Sequence, residues 1–277
     1  MQVSINRLFL EQTSFDSAAP SGLAAVVHQF TDPGQYVLTF LQDDRVFDRY
    51  PLAVLEEPPK TEAIPSQVRV DIGKLRRPAP ERPAIERAQR VDEEGTPRFI
   101  LGAKGYVLFT SSHKEGSYAI ICEKEESRGE GKREDKSDRA REEGGRAERF
   151  DSRRLGATDI FAVTMIRPGT YSLTNTLTKA KGRITIAYPT IGKEPYHPPA
   201  PLSVQCTGQG FTPANIDLQP AQGIVFHFSV PSHIKIDLVQ PNDGPGKVVQ
   251  QEARPGPPSK EARRPVARWR KPTGRVD

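Results

Sequence analysis

The chain has 277 residues, of which 40 are Lys or Arg and 35 are Asp or Glu, and 35% are hydrophobic. That hydrophobic share lies below the ~45–50% (Gly included) of a globular domain, and the 26 prolines are nearly twice the usual ~5%, so part of the chain is not expected to pack. No apolar run approaches the ~18 residues of a membrane-spanning helix. The N-terminus lacks the pattern of a secretory signal, which predicts a cytoplasmic protein. Two cysteines without CxxC spacing exclude a disulfide framework and a Cys-rich zinc site.

The first predicted unit is a small N-terminal β domain at residues 1–56. Its segment 33–39 has the pattern Pro-Gly-x-Tyr-x-Leu-Thr, followed by a predicted hairpin tip at Asp43–Asp44 and an apolar return strand. Pro-Gly supplies a turn, and the tyrosine that follows enters a strand. A tyrosine that bonds back across a corner is a known device of β-sandwiches, so Tyr36 is predicted to be a structural corner residue. An aromatic binding residue is the alternative.

A Pro-rich linker is predicted at residues 57–97, because its seven prolines disfavour helix and favour an extended chain. The short run Ser66–Ile72 alternates between polar and apolar residues, so one strand is predicted inside the linker. The linker would then connect the N-terminal domain to a larger one.

Residues 98–240 are predicted to form that larger domain, a β-sandwich, because the apolar runs are β-branched or aromatic and end at Gly or Pro. The segment 123–149 holds ten acids and nine bases but no Val, Ile, Leu or aromatic residue, which predicts a disordered charged insertion. No window shows a sustained period of 3.6, which favours a mainly β fold of antiparallel β-sandwich domains. The Pro-Gly-x-Tyr-x-Leu-Thr pattern recurs at 168–174, so Tyr171 is a second predicted corner residue and the two domains are predicted to have similar topology.

A hairpin is predicted at Ile224–Val239, since apolar residues recur at every second position on both sides of a loop at 231–233. If the apolar residues of both hairpin strands face one core, His227 lies opposite Asp237 on the outer face. This pair is expected to be a surface ion pair, because no nucleophile is predicted near it.

Two stretches of the chain resemble the cupredoxin-like fold. One has Phe-x-Pro-x-x-Ile-x-Leu at 211–218, Gly-x-x-Phe-x-Phe at 223–228 and then His233, and the other has the second Pro-Gly-x-Tyr segment with an apolar strand at 182–186. The resemblance implies a cupredoxin-like or immunoglobulin-like β-sandwich. The copper ligands of the family are missing, because Asn175 occupies the position of the Cys ligand and only His233 matches a ligand. A sandwich without a metal or other cofactor is therefore predicted, with a cupredoxin-related metal-binding protein as the alternative.

The C-terminal tail at 241–277 carries nine Lys or Arg against four acids and few large apolar side chains, so it is predicted to be disordered. A cluster of basic residues around a tryptophan is a candidate for binding nucleic acid or another anionic surface through phosphate neutralisation and stacking. A tail that only aids solubility is the alternative. The residues of this cluster are Arg263, Arg264, Arg268, Trp269, Arg270 and Lys271.

The sequence contains no catalytic constellation, since it lacks GxSxG, a P-loop, and GxGxxG after a strand. We therefore predict that the protein is not an enzyme and that it works by binding a protein partner or by supporting assembly. The β-blocks would supply the specific surface and the flexible segments would act as tethers. An exposed strand edge that recruits an extended peptide is one mode that suits such a fold.

Overall fold

Eighteen strands and a four-residue helix are defined within the residues that the computed structural model describes. Those residues are 11–56, 64–75, 89–91, 97–112, 118–125, 149–188 and 196–242. The helix α1 spans Ile72–Leu75, and the strands form three sheets. The prediction of a mainly β fold is therefore confirmed.

The three sheets contain six, seven and five strands, and the seven-stranded one is hereafter the central sheet. The six-stranded sheet contains, in spatial order, β10 (Arg149–Asp151), β9 (Tyr118–Lys124), β3 (Gly34–Gln42), β4 (Arg45–Leu55), β7 (Pro97–Gly102) and β6 (Gln89–Val91). The central sheet contains β15 (Gly210–Thr212), β14 (Leu202–Thr207), β17 (Gln222–Phe228), β11 (Asp159–Met165), β2 (Ala24–Gln29), β8 (Tyr106–Thr110) and β5 (Gln67–Asp71). The five-stranded sheet contains β1 (Ser14–Asp16), β18 (Ile234–Pro241), β12 (Gly169–Asn175), β13 (Lys181–Ile186) and β16 (Asn215–Leu218).

Strand directions are mixed rather than purely antiparallel. The neighbours β4–β7, β5–β8, β13–β16 and β14–β17 run parallel, whereas the other neighbouring strands of the described residues run antiparallel. The connection from β4 to β7 passes through β5, which lies in another sheet, so the chain returns in its original direction. Alternation of apolar and polar residues did not reveal this, because it fixes which face is buried and not the direction of the neighbour.

One continuous apolar core joins the three sheets. Phe161 and Phe226 face it from the central sheet and stack with ring centroids 5.9 Å apart. Phe109 of the same sheet stacks on Phe150 of the six-stranded sheet at 5.7 Å. The cluster of buried residues continues to Ile236 of the five-stranded sheet. Both smaller sheets therefore pack on the same inner face of the central sheet.

The two halves of the chain follow the same strand plan. Strands β2–β5 and β7–β9 have the same neighbour relations as β11–β14 and β16–β18, including two parallel pairs in each half. The offset at the start of each half is 135 residues, which relates the two Pro-Gly-x-Tyr segments and also relates Phe15 of β1 to Phe150 of β10. We name residues 14–124 repeat 1 and residues 149–241 repeat 2.

Each repeat places its first strand beside the last strand of the other repeat. β1 pairs with β18, and β10 pairs with β9. The Ser17 amide donates to the Ile234 carbonyl (2.9 Å), and the Ser17 hydroxyl accepts from the Ile234 amide (3.0 Å). Ser152 makes the same two hydrogen bonds with Ile120, both at 3.0 Å. This reciprocal exchange ties the two repeats into one compact unit.

A local two-fold axis relates the repeats at the middle of the central sheet. β2 and β11 pair antiparallel with Val26 opposite Phe161, and these two residues occupy equivalent positions in the repeats. The axis therefore passes through this pair, perpendicular to the sheet. The two flanking pairs that the axis exchanges are His28–Asp159 and Ala24–Val163.

The predicted hairpin at Ile224–Val239 is wrong. β17 lies in the central sheet beside β11 and β14, whereas β18 lies in the five-stranded sheet beside β1 and β12. His227 therefore pairs with Ile160 and Gln205, and it does not face Asp237. The apolar sides of β17 and β18 are buried as the alternation predicts, but they face each other across the core. Alternation fits both arrangements equally, because either one points the apolar sets toward the same core.

Both predicted corner tyrosines are 1% exposed. The Tyr36 hydroxyl donates to the Asp32 carbonyl (2.7 Å), and the Tyr171 hydroxyl donates to the Arg167 carbonyl (2.9 Å), in each case four residues earlier. The predicted tip at Asp43–Asp44 is confirmed, since both residues have positive φ (50° and 61°) between the antiparallel strands β3 and β4.

The strand predicted within Ser66–Ile72 is confirmed as β5, which joins the central sheet beside β8. Strands from the predicted domains 1–56 and 98–240 also share that sheet, where β2 lies between β8 and β11. The domain boundaries themselves stay predictions. The parts of the predicted linker, insertion and tail that lie outside the described residues are 57–63, 76–88, 92–96, 126–148 and 243–277.

Candidate functional site

The middle of the central sheet has an apolar outer face. Val26 of β2 and Phe161 of β11 point into the core and are fully buried, so the alternate residues of these strands point away from it. At six outward positions the side chain is apolar and half-buried. The six residues, which we name the apolar central patch, are Ala25 and Val27 of β2, Leu108 of β8, Ile160 and Ala162 of β11, and Val225 of β17.

The cross-strand register brings these six side chains together. Val27 lies opposite both Leu108 and Ile160, and Ala162 lies opposite both Ala25 and Val225. Cross-strand neighbours have Cβ atoms ~4.5–5.5 Å apart, so the patch consists of two adjoining rows on four strands. The local two-fold axis exchanges the Val27–Ile160 pair with the Ala162–Ala25 pair and therefore passes through the centre of the patch.

The apolar central patch is also free of charge. The outward positions of the described strands β8, β2, β11 and β17 hold no Asp, Glu, Lys or Arg, and the titratable side chains among them are Tyr106 and His227. The outer face of the five-stranded sheet instead exposes Lys181, Arg183, Lys235 and Asp237. The patch is therefore a partly exposed apolar surface, and an apolar surface with a polar rim is typical of an interaction site. The patch is therefore the candidate binding surface.

A buried histidine–aspartate pair lies on the inner side of the same two strands. His28 Nδ1 is 2.6 Å from Asp159 Oδ1, and the two side chains are 5% and 6% exposed. Asp159 Oδ2 also accepts a hydrogen bond from the Gly156 amide at 2.6 Å. The His28 ring stacks on Phe150, with centroids 4.6 Å apart, and its Nε2 is buried with no hydrogen-bond partner in the part of the chain that the structure describes. The pair links repeat 1 to repeat 2 at the centre of the core.

His233, the candidate metal ligand, is held by Asp16 of the exchanged strand β1. His233 Nε2 lies 2.6 Å from Asp16 Oδ1, and Lys235 Nζ lies 3.3 Å from Asp16 Oδ2. Burial by itself would raise the pKa of Asp16, but hydrogen bonds from His233 and the Ala18 amide and the nearby positive charges hold that pKa below the usual 3.8. Among the described residues, no group of three or more His, Cys, Asp or Glu could hold a metal ion. These contacts fix β1 against β18.

Asn175, at the position of the cupredoxin Cys ligand, is buried and organises the chain around it. Its Nδ2 donates to Ser232 Oγ (2.9 Å), and its Oδ1 accepts from the amides of Leu177 (3.1 Å) and His233 (3.2 Å). Because the side-chain amide is engaged by the chain itself, this position has a structural role.

The basic cluster predicted in the tail, from Arg263 to Lys271, lies outside the described residues. Sequence reasoning missed the apolar central patch, although a signal was present. The segments AAVVHQ of β2, YVLFT of β8 and DIFAVTM of β11 are apolar at nearly every position rather than at alternate positions. Such runs are typical of strands that are covered on both faces.

The helix defined in the described residues has four residues, and no helix there is long and apolar enough to cross a bilayer. In comparisons with known proteins, no family model, no curated protein and no solved structure matches this chain.

Proposed function

We propose that the protein is a non-enzymatic binding or assembly protein and that the apolar central patch is the surface that contacts its protein partner. The observation that carries the proposal is an uncharged apolar surface on four hydrogen-bonded strands. Covering such a surface contributes ~25 cal/mol per Å² of apolar area removed from water. Because the strands already hold the side chains in place, little ordering entropy opposes binding.

The contacts of two histidines support a non-enzymatic role, since each histidine is held by a carboxylate of the chain itself. His28 contacts Asp159, and Asp16 contacts His233. Burial raises the pKa of the Cys206 thiol to about 12, so this thiol is protonated and a poor nucleophile at neutral pH.

Kinship with cupredoxin-like or immunoglobulin-like sandwiches is likewise a proposal, supported by the motifs around Pro213 and Tyr171. A cupredoxin-related metal protein and a tail that binds nucleic acid or another anionic surface remain sequence predictions. Recruitment of a peptide to an open strand edge is a different mode of the same proposed function.

The proposal is tested by changing the apolar central patch and recording which proteins remain near the chain in its own cells. Ile160→Lys places a charge in the patch, and Thr185→Lys places the same charge on the outer face of the five-stranded sheet. Proximity labelling followed by quantitative mass spectrometry is expected to give the same neighbours for wild type and Thr185→Lys, and to lose them for Ile160→Lys. Identical neighbours for all three proteins would overturn the assignment of the surface.

A further inference from the structure

We infer that the occupant of the apolar central patch is a second copy of this chain, packed face to face through the two central sheets. The inference rests on the proposed function and names the partner of that surface. Its support comes from the symmetry, the charge and the extent of the central sheet.

The two rows of the patch differ in side-chain size in a way that allows the patch to match a second copy of itself. Val27 and Ile160 form a ridge on one side of the axis, and the smaller Ala25 and Ala162 form a depression on the other side. The two-fold axis of such a dimer lies between the two sheets, parallel to them and perpendicular to the strands. A second copy that is rotated by 180° about this axis places its ridge above the depression of the first copy. A two-fold dimer needs a surface that matches itself in this way. The alanines also permit the two sheets to approach the ~10 Å separation of packed sheets.

The charge distribution favours this face over the outer face of the five-stranded sheet. A second copy brings the same net charge of +5, so it is best accommodated where charged groups are absent. The outward positions of β8, β2, β11 and β17 meet that condition, and the next strand, β5, carries the opposite charges of Arg69 and Asp71. On the five-stranded sheet, two copies would bring Lys181, Arg183 and Lys235 of each chain together.

The extent of the central sheet suits a partner as wide as the sheet itself. Seven strands at a spacing of ~4.8 Å are ~34 Å wide, and their mean length of between five and six residues is ~18 Å at ~3.3 Å per residue. The footprint is then ~600 Å² on each copy and ~1,200 Å² for both. Stable protein interfaces bury ~1,200–2,000 Å² in total, so face-to-face packing of two central sheets reaches the size that a dimer needs. A single added peptide strand would cover only a small part of this area.

The first test is the solution mass of the full-length chain, measured by sedimentation velocity over a concentration series. We expect wild type to reach twice the chain mass of 30.7 kDa. A lysine in the middle of a dry interface removes a central contact, so Ile160→Lys is expected to raise the dissociation constant at least ~30-fold. Thr185→Lys, on the outer face of the five-stranded sheet, is expected to leave it unchanged. Circular dichroism and thermal melting establish that both variants are folded.

A second test does not depend on weakening the interface. Ala162→Cys places a thiol close to the two-fold axis of the proposed dimer, so that the equivalent thiol of the second copy lies nearby on the facing sheet. A short bis-maleimide is expected to convert this variant to a covalent dimer, whereas Thr174→Cys on the five-stranded sheet is expected to stay monomeric.

The outcomes separate this inference from the proposed function. A wild-type chain that stays monomeric at high concentration overturns the inference, and so does a dimer that Ile160→Lys leaves intact. If the chain is monomeric but Ile160→Lys still loses its cellular neighbours, the proposed function stands with a different partner. If neither the mass nor the neighbours respond to Ile160→Lys, both fail.

Discussion

The buried His28–Asp159 pair gives the sharpest prediction, because the local two-fold axis relates it to a pair of apolar residues that serves as a reference. The axis exchanges this pair with Ala24 and Val163, which occupy the same opposed positions on β2 and β11 without any polar group. The double variant His28→Val with Asp159→Ala therefore rebuilds an arrangement that the chain already contains.

The two single variants should each be strongly destabilised. Asp159→Ala leaves the His28 Nδ1 and the Gly156 amide without their acceptor in a place that is about 5% exposed. His28→Val leaves the Asp159 carboxylate buried without its ring partner. Removing one member of a buried pair costs about 3–5 kcal/mol, because the other member stays desolvated and unpaired.

The double variant should be more stable than the sum of the two single losses predicts, by at least about 2 kcal/mol. Its remaining cost is the cavity left beneath Phe150, whose ring stacks on His28. The assay is urea unfolding of the four proteins of the double-mutant cycle. Val163→Ala is the control, since it creates a cavity at the symmetry-related position without exposing a polar group. Losses that add to within about 0.5 kcal/mol would refute the reasoning.

Three further predictions concern pH, thiol chemistry and backbone geometry. The folded pKa of Asp16 lies below 3.8, so its stabilisation is present above that pH and lost as the pH falls through the folded value. Asp16→Asn should therefore lower the free energy of unfolding at neutral pH but not in strong acid, and an equal loss at both would contradict this. In a Cys122→Ser background, Cys206 should react with an aromatic disulfide reagent only after the protein unfolds, and the reaction is followed by absorbance. Rapid labelling of the folded protein would refute the burial of Cys206. Gly169→Ala should cost about 1–3 kcal/mol in thermal unfolding, because Gly169 has φ +150° and an added Cβ would lie 2.6 Å from a backbone carbonyl. Gly34→Ala at the equivalent position should cost less, because there the obstacle is a mobile lysine side chain, and equal losses would argue against that cause.

The inward faces of the strands could be predicted from particular residues. Ile224, Phe226 and Phe228 occupy every second position of β17, and all three are buried. The predicted tip at Asp43–Asp44 could also be found, because a two-residue turn of this kind depends on residues that tolerate positive φ. These features depend on neighbours along the chain, and the sequence therefore contains the whole of the evidence for them.

The candidate surface could not be placed from the sequence, although its strands were found. Val27 and Ile160 are 133 positions apart, and they meet only because β2 of repeat 1 pairs with β11 of repeat 2 across the local two-fold axis. The same limit explains the wrong hairpin at Ile224–Val239, where adjacent strands enter different sheets. In both places the partner of a strand was decided by long-range packing.

By itself, the sequence determined a mainly β chain, the inward side of most strands, and a repeated Pro-Gly-x-Tyr pattern that marks two similar halves. Only the tertiary structure decided which strands are neighbours, the reciprocal exchange of β1 and β10, and the apolar surface on the outer side of the central sheet. The physical reason is that burial of alternate side chains is set locally by the two-residue period of a strand. Hydrogen bonding between strands is available to any edge, so the choice of neighbour depends on how the whole core packs.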